Sequence, residues 1–216
     1  MLHFRVGMLD EANALVERWH YSGRPPAAVQ CVGTWHESGG LFGDYGDAVA
    51  ACFFSIPGTR WSEDVWELSR LVRAETTAVP LTGLIAATCA HMRRTAAAPL
   101  LVSFADSTQG HHGGIYQAAS WSYAGKRDRR QDGLMVDGTF VPGRSCNSRW
   151  GTRSPSKLQT IIGREVIPHY DEGKHLYWRA LNKDARRQAA RLGLDAMPYP
   201  KPAEAEAALR ARGGGV

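Results

Sequence analysis

Four cysteines occur in 216 residues, and no two of them form a Cys-x-x-Cys pair. That absence excludes a zinc ribbon and a thioredoxin-like redox site. Cys31, Cys52, Cys89 and Cys146 are irregularly spaced. Cys52 lies in the apolar run Ala48–Ile56 and Cys89 in an apolar helical stretch, where a free thiol behaves as a small hydrophobe. They read as reduced thiols of a cytoplasmic protein. No stretch reaches the ~18 consecutive apolar residues of a membrane helix. The opening MLHFRVGMLDEANALVERW turns acidic and amphipathic too early for a secretory signal. No internal repeat is present. What remains is 44% hydrophobic and 22% charged, the profile of a soluble globular domain that needs no disulfide or metal to fold. A net charge of +5 suits an anionic partner such as nucleic acid, phosphate or coenzyme without singling one out. Seven tryptophans point to a large core or to flat ligands that stack.

Periodicity and punctuation predict a strand over His3–Val6 and a helix over Asp10–Trp19, with Asp10 as its N-cap and Leu15, Val16 and Trp19 on one face. Ala28–Trp35 and Ala48–Ile56 read as strands around a glycine-rich loop, Ser38–Asp47. Val65–Arg73 reads as a strand, Leu81–Thr95 as a buried helix, Leu100–Ala105 as a buried strand, Gly110–Ser120 as a short helix and Trp121–Gly125 as a strand. This order describes an α/β fold with a mixed central sheet. The second half is more basic and reads as less regular. Lys126, Arg127, Arg129 and Arg130 crowd one turn, and Arg144, Arg149, Arg153 and Lys157 follow through a loop rich in Gly, Ser and Asn. A helix over Ser156–Gly163 capped by Ser156, a strand over Lys174–Leu181 and a basic helix over Lys183–Leu192 complete it. One domain is expected over residues 1–201, with its core in about 1–125 and a basic part in about 126–201; residues 202–216 read as a tail.

Val65–Gly125 is the informative unit. Where two parallel strands splay, the first strand leaves backbone groups that can bond an extended amide-bearing ligand. The N-terminus of the following helix, near Leu81–Gly83, offers N–H groups to a pyrophosphate. Coenzyme A has that shape. Ile115–Gly125 (IYQAASWSYAG) resembles the last helix-to-strand motif of the GNAT acyltransferase superfamily, whose tyrosine lies beside the thioester and protonates the leaving thiolate. The resemblance implies a GNAT-like mixed, splayed central sheet flanked by helices. The sequence departs from the superfamily in its phosphate loop, since Ala74–Gly83 (AETTAVPLTG) replaces Arg/Gln-x-x-Gly-x-Gly/Ala and keeps only Gly83. On the bare residues, Tyr116 and Trp121 either serve chemistry or close the core between helix and strand.

WELSRL (Trp66–Leu71), FADSTQGHHGGIYQAASWSYAG (Phe104–Gly125) with Asp106 and Tyr116 separated by nine residues, His20–Tyr21, and the late Tyr199–Lys201 resemble the phage Mom DNA-modification family, a divergent GNAT branch. The resemblance implies an enzyme of a bacterial host cell, encoded by a phage or prophage. It would modify the exocyclic N6 amine of adenine in duplex DNA with a carbamoylmethyl group and so shield phage DNA from restriction. It also implies acetyl-CoA or a related acyl-CoA as donor, with Fe(II) as a further cofactor. The implied catalytic residues are Asp106, Tyr116, His20, Tyr21 and Arg70; His20, Tyr21, Asp106 and Tyr116 are also the candidate iron ligands. Coenzyme A would lie along Leu71, Val72 and Arg73, at Leu81, Thr82 and Gly83, and beside Tyr116.

Adenine N6 is a poor nucleophile, so acyl transfer to it needs a base for its proton and an acid for the thiolate. Asp106, at a strand's C-terminal end, either orients or deprotonates the amine or caps the next helix. His20 either takes part in the site or ends the first helix. Arg70 either pairs with Glu67 or Asp106 or points to solvent, and the family resemblance favours the pairing. Glycines around His111–His112 suggest either close approach of a ligand or a plain turn. Lys126, Arg127, Arg129, Arg130, Arg149, Arg153 and Lys157 are candidates for DNA phosphates, and Trp121, Tyr123 and Trp150 for stacking a flipped base. Two alternatives stay open, an ordinary GNAT N-acetyltransferase of a small amine or protein amino group and a non-catalytic DNA-binding protein on a degenerate GNAT fold.

Overall fold

The computed structural model describes residues 1–39, 44–58, 61, 64–95 and 99–200; Lys201 and the tail lie outside the described residues. Among the described residues, one compact unit comprises Met1–Phe104, Gly113–Gly125 and Leu176–Tyr199. A second comprises Ala105–His112, Lys126–His175 and Pro200.

In chain order the first unit is built on β1 (Leu2–Val6), α1 (Leu9–Trp19), β2 (Val29–Gly39), β3 (Asp44–Ser55), β4 (Val65–Arg73), α2 (Leu81–Arg94), β5 (Leu100–Asp106), α3 (Gly114–Ala118) and β6 (Ser122–Lys126). After the second unit's elements come its last strand and helix, Lys174–Ala180 and Lys183–Arg191. β1 to β4 pair antiparallel in sequence order. The sheet then continues through β5, the Lys174–Ala180 strand and β6. It is the expected mixed sheet flanked by helices.

β3 is apolar on both faces because helices cover both. On one face Ala12, Leu15 and Val16 of α1 pack with Ala51, Phe53 and Val72. On the other, α2 lies against β2 and β3, with Cys52 Sγ 3.1 Å from Thr88 Oγ1. Gly33 permits that seat, since a Cβ there would collide with the Thr88 side chain. The N-cap of α1 is Met8 and makes no side-chain bond, so Asp10 is not the cap. It lies with Glu11 in the first turn, where negative charge complements the helix dipole.

β4 and β5 pair in parallel only over Val65↔Leu100, Trp66↔Leu101 and Glu67↔Val102. Beyond that register the two strands splay. β4 is also bulged. Phe53 faces Arg70 and Phe54 faces Leu68, which leaves Ser69 as the extra residue and bends the strand locally.

The second unit is more regular than its composition suggests. It contains β7 (Gln131–Val136), β8 (Thr139–Pro142), α4 (Gly143–Trp150), α5 (Pro155–Ile162) and β9 (Val166–Tyr170). The sheet order is β8-β7-β9, all antiparallel. The strand and helix of the first unit that follow are β10 (Lys174–Ala180) and α6 (Lys183–Arg191). Asp137 (φ 50°) and Gly138 (φ 75°) turn β7 into β8; both positive φ values make a two-residue type I′ hairpin. Leu134, Cys146, Leu158 and Val166 form the small core, with Val136, Val141, Trp150 and Ile162 around it. The segment expected to be a basic loop is therefore largely α4, closed by Gly151 at a φ of 69°. Ser156 does not cap α5. Ser154 holds the N-cap position, without a side-chain bond, because Pro155 opens the helix.

Candidate active site

Within the first unit, α3 delivers Tyr116 into an aromatic cluster. Its ring centroid lies 5.2 Å from Tyr177 on β10 and 5.6 Å from Trp121. Tyr123 lies 5.1 Å from Tyr177, and Tyr199 stacks on Tyr177 at 6.5 Å. The Tyr199 hydroxyl donates to the Trp121 carbonyl at 2.7 Å, which ties Tyr199 to the residue before β6. Burial of the Tyr116 phenol pushes its pKa up to about 12, a hydrogen bond with Ser103 pulls the other way, and the Glu67 carboxylate, Tyr21 and Tyr177 raise it further. At neutral pH Tyr116 is a neutral phenol with a proton to donate.

That pattern brings Tyr21 and Glu67 into the electrostatic neighbourhood of Tyr116. Tyr21 is 67% exposed and stacks on the His20 ring at 4.4 Å. The backbone of His20 ends α1 by donating to the Val16 carbonyl, as a helix-ending histidine would. Its Nδ1 accepts the Ser22 N–H at 3.1 Å, so in the neutral ring the proton sits on Nε2. Arg70 bonds two backbone carbonyls. Its Nε donates to the Arg24 carbonyl at 3.1 Å and its NH1 to the Ser69 carbonyl at 2.7 Å. The bulge at Ser69 presents that carbonyl and the segment after α1 presents the other, so Arg70 fastens backbone.

The expected coenzyme residues fall on two elements. Leu71, Val72 and Arg73 lie on β4 past the point where β5 diverges. Arg73 NH1 donates to the Val79 carbonyl at 3.3 Å and so draws in the loop before α2. Leu81, Thr82 and Gly83 are the first three residues of α2, whose N-cap, Pro80, provides no side-chain acceptor. Their N–H groups therefore have neither an intrahelical partner nor a side-chain cap. A Cβ on Gly83 would meet only Pro80 at 3.7 Å and Trp35 at 3.9 Å, ordinary contacts.

In the second unit, Asp106 caps the 3-10 turn Ser107–Gln109 by accepting the Thr108 N–H at 2.9 Å. Its other oxygen lies 3.3 Å from Lys174 Nζ. The capping alternative is therefore realised, and the capped carboxylate is also held by a cation. Asp171 anchors the basic turn by accepting the N–H groups of Arg130 (3.0 Å) and Gly173 (2.9 Å). Lys126, Arg127, Arg129, Arg130, Arg144, Arg149, Arg153 and Lys157 are all exposed. Trp121 is fully buried and Tyr123 is 7% exposed, so neither offers a face for base stacking; both belong to the core. Trp150 is partly buried and carries the Arg149 guanidinium 4.8 Å over its ring.

Among the described residues no group of three or more His, Cys, Asp or Glu is placed to hold a metal ion. No helix is long and apolar enough to cross a membrane among the described residues.

The profile of the Mom protein family matches residues 3–201. The chain belongs to the Mom protein family. No curated protein sequence matches this Mom-family chain. Solved structures of GNAT type resemble it at low identity. An N-acetyltransferase from Staphylococcus aureus Mu50 is 10% identical with a TM-score of 0.47, covering 84% of this chain and 98% of its own. The ribosomal-protein-S18-alanine N-acetyltransferase from Escherichia coli is 8% identical with a TM-score of 0.46, covering 84% and 95%. A GNAT family acetyltransferase from Elizabethkingia anophelis with acetyl-CoA bound is 9% identical with a TM-score of 0.39, covering 83% and 97%.

Sequence reasoning about this Mom-family chain missed Tyr177 and Ser103. Tyr177 hides in the strand KHLYWRA as an ordinary inward aromatic. Only tertiary pairing reveals that Gly113 exists to admit its ring, since a Cβ at Gly113 would collide with it. The glycines around His111–His112 thus make room for a protein side chain at Gly113, and Gly110 (φ 72°) closes the 3-10 turn.

Proposed function

We propose that this protein is a DNA-modifying transferase acting on the exocyclic N6 amine of adenine in duplex DNA, with an acyl-CoA-type donor, and that it protects phage DNA from restriction. The observation that carries this reading is the Mom family match over residues 3–201. The splayed β4–β5 edge and the uncapped start of α2 support the donor. Leu71, Val72 and Arg73 would bond the amide-bearing arm, and Leu81, Thr82 and Gly83 the pyrophosphate. The donor supplies an electrophilic thioester.

Tyr116, a neutral phenol at physiological pH, donates the proton that a departing thiolate needs. Asp106 orients the amine and receives its proton, with Lys174 and the Thr108 N–H holding the carboxylate in one rotamer. His20 and Tyr21 present a stacked pair to the acceptor, and Arg70 fixes the geometry of β4 through its two carbonyl bonds. The exposed cations Lys126, Arg127, Arg129, Arg130, Arg149, Arg153 and Lys157 neutralise DNA phosphates.

The test is to express the protein, digest the host DNA to nucleosides and weigh them by mass spectrometry. A heavier deoxyadenosine is expected, absent for Asp106→Ala and reduced about a hundredfold or more for Tyr116→Phe. Unmodified DNA from cells holding the folded protein would overturn the reading.

A further inference from the structure

The two faces of the first unit's sheet are covered by different helices. Ala51 and Phe53 of β3 project toward α1, and Cys52 projects toward Thr88 of α2. Residues paired across neighbouring strands project to the same side. Val72, Arg70 and Glu67 pair with Ala51, Phe53 and Ser55, and Val102 pairs with Glu67, so all of them lie on the α1 side. Val65, Leu100 and Val102 pack there against Ala185 and Ala189 of α6. α1 and α6 therefore flank one face, and α2 covers the other. With the acyl donor at the start of α2, the face that carries Glu67 and Arg70 is the one left for the acceptor.

On that face α6 turns a cationic side outward. Ala185 and Ala189 are buried. At about 100° per residue, Lys183, Arg186, Arg187 and Arg191 point the opposite way, and Lys183 to Arg191 spans about 12 Å of axis. All four are exposed. Arg187 pairs with Asp184 at 2.9 Å, whereas Lys183, Arg186 and Arg191 enter no ion pair among the described residues. The arrangement opposes the helix rather than supporting it. Lys183 opens α6 and Arg186 closes its first turn, where the helix dipole disfavours cations. Lys183 and Arg187, and Arg187 and Arg191, are like charges four residues apart, which also works against a helix. Local charge that contradicts the element carrying it is expected where a ligand sets the sequence.

We propose that the Lys183–Arg186–Arg191 side of α6 is a phosphate-binding surface for the duplex whose adenine is modified. The inference rests on duplex DNA being the acceptor. A duplex is broader than an α-helix, so it lies on the outward surface of the acceptor face and sends only the target base inward. α1 gives no cationic footing there, because its exposed charges Asp10, Glu17 and Arg18 are mixed in sign. α6 does. Its three unpaired cations are spread over a length that spans several phosphates, which follow one another about every 3.4 Å of axis along a strand. A lipid surface is the poorer match. The apolar side of α6 is already buried against Val65, Leu100 and Val102, so it is not the side that would have to enter a membrane.

The experiment measures the affinity of the full chain for a short fluorescent duplex as salt is raised. Wild type is compared with a triple variant, Lys183→Gln, Arg186→Gln and Arg191→Gln, and with Arg191→Gln alone. Gln keeps the helix propensity of the cations it replaces. Affinity of the wild type should fall steeply with salt. The triple variant should bind about ten- to a hundredfold more weakly at physiological salt, whatever the duplex sequence, and its slope of log affinity against log salt should be shallower by about 2 to 3. For Arg191→Gln the slope should change by about 1. The urea midpoint of the triple variant should not fall, since the helix dipole disfavours two of the three cations. Wild-type slopes in both variants would overturn the α6 surface and leave the proposed function intact. So would loss of polyglutamate binding in the triple variant with duplex affinity kept. Absence of salt-dependent duplex binding by wild type would instead overturn the proposed function itself.

Discussion

Gly113 holds the turn before α3 at a φ of +85°, with the Tyr177 ring where a Cβ would stand. Two penalties coincide there, a left-handed backbone that L side chains avoid and an aromatic ring with no room to give. Gly113→Ala should therefore destabilise the fold by about 2–4 kcal/mol, read as a lower urea midpoint, and should also displace Tyr177 from Tyr116. Gly83 is the opposite case. It lies in the first turn of α2, where a Cβ would make only ordinary van der Waals contacts, so Gly83→Ala should stabilise the protein by about 0.5–1 kcal/mol. Coenzyme A affinity in that variant, measured by calorimetry, should stay within about twofold, because the added methyl points toward Pro80 and Trp35 rather than along the free N–H groups. A sequence shows both glycines as the same letter. Only the φ angle and the neighbours separate the one that must be glycine from the one that need not.

At the scale of elements, polar end-signals competed. Asp10 and Ser156 both read as N-caps, and neither caps. The apolar register of α1 began one residue earlier, at Leu9, and Pro155 set the first residue of α5. Asn182 is a cap that does form, its Oδ1 accepting the Ala185 N–H at 2.7 Å. Asn182→Ala should cost about 1 kcal/mol and should fray α6, visible as faster amide exchange in Ala185 and its neighbours. β4 was legible to the residue, since Val65–Arg73 is bounded by turn signals and carries its own apolar residues. The hairpin β7–β8 was not read, although Asp137–Gly138 between apolar flanks is the strongest short hairpin signal available. The run of arginines around it drew attention to charge and away from the turn.

For the molecule as a whole, several acidic groups are buried in their neutral forms. Burial pushes Cys52 up to about 12, Cys31 and Cys89 up to about 11, and Tyr116 up to about 12, from ordinary values of 9.0 for the thiols and 10.0 for the phenol. The folded chain keeps these protons at pH values where the unfolded chain releases them. Stability contributed by the neutral forms is complete below about pH 9 and falls as pH rises through about 12. Urea midpoints in reducing buffer should drop between about pH 8 and about pH 10.5, and Cys52→Ala should make the drop shallower. A midpoint that holds steady would show that these groups are hydrated in the folded state.

Apolar periodicity and turn residues determined the order of strands and helices in the first unit, because burial of alternate or helical-face positions is a local demand that each segment states for itself. Tyr116, Asp106, His20–Tyr21 and WELSRL carried the family likeness for a related reason, since they are spaced along the chain and need no folding to be seen. Pairing across the chain decided the rest. The parallel ladder that stops after Glu67 and Val102, the carbonyls that capture Arg70, and the burial of Trp121 and Tyr123 away from any ligand all depend on segments distant in sequence. So does the row of Phe140, Met135 and Ile167. Its three members come from three strands, and the register between those strands exists only once the sheet has formed.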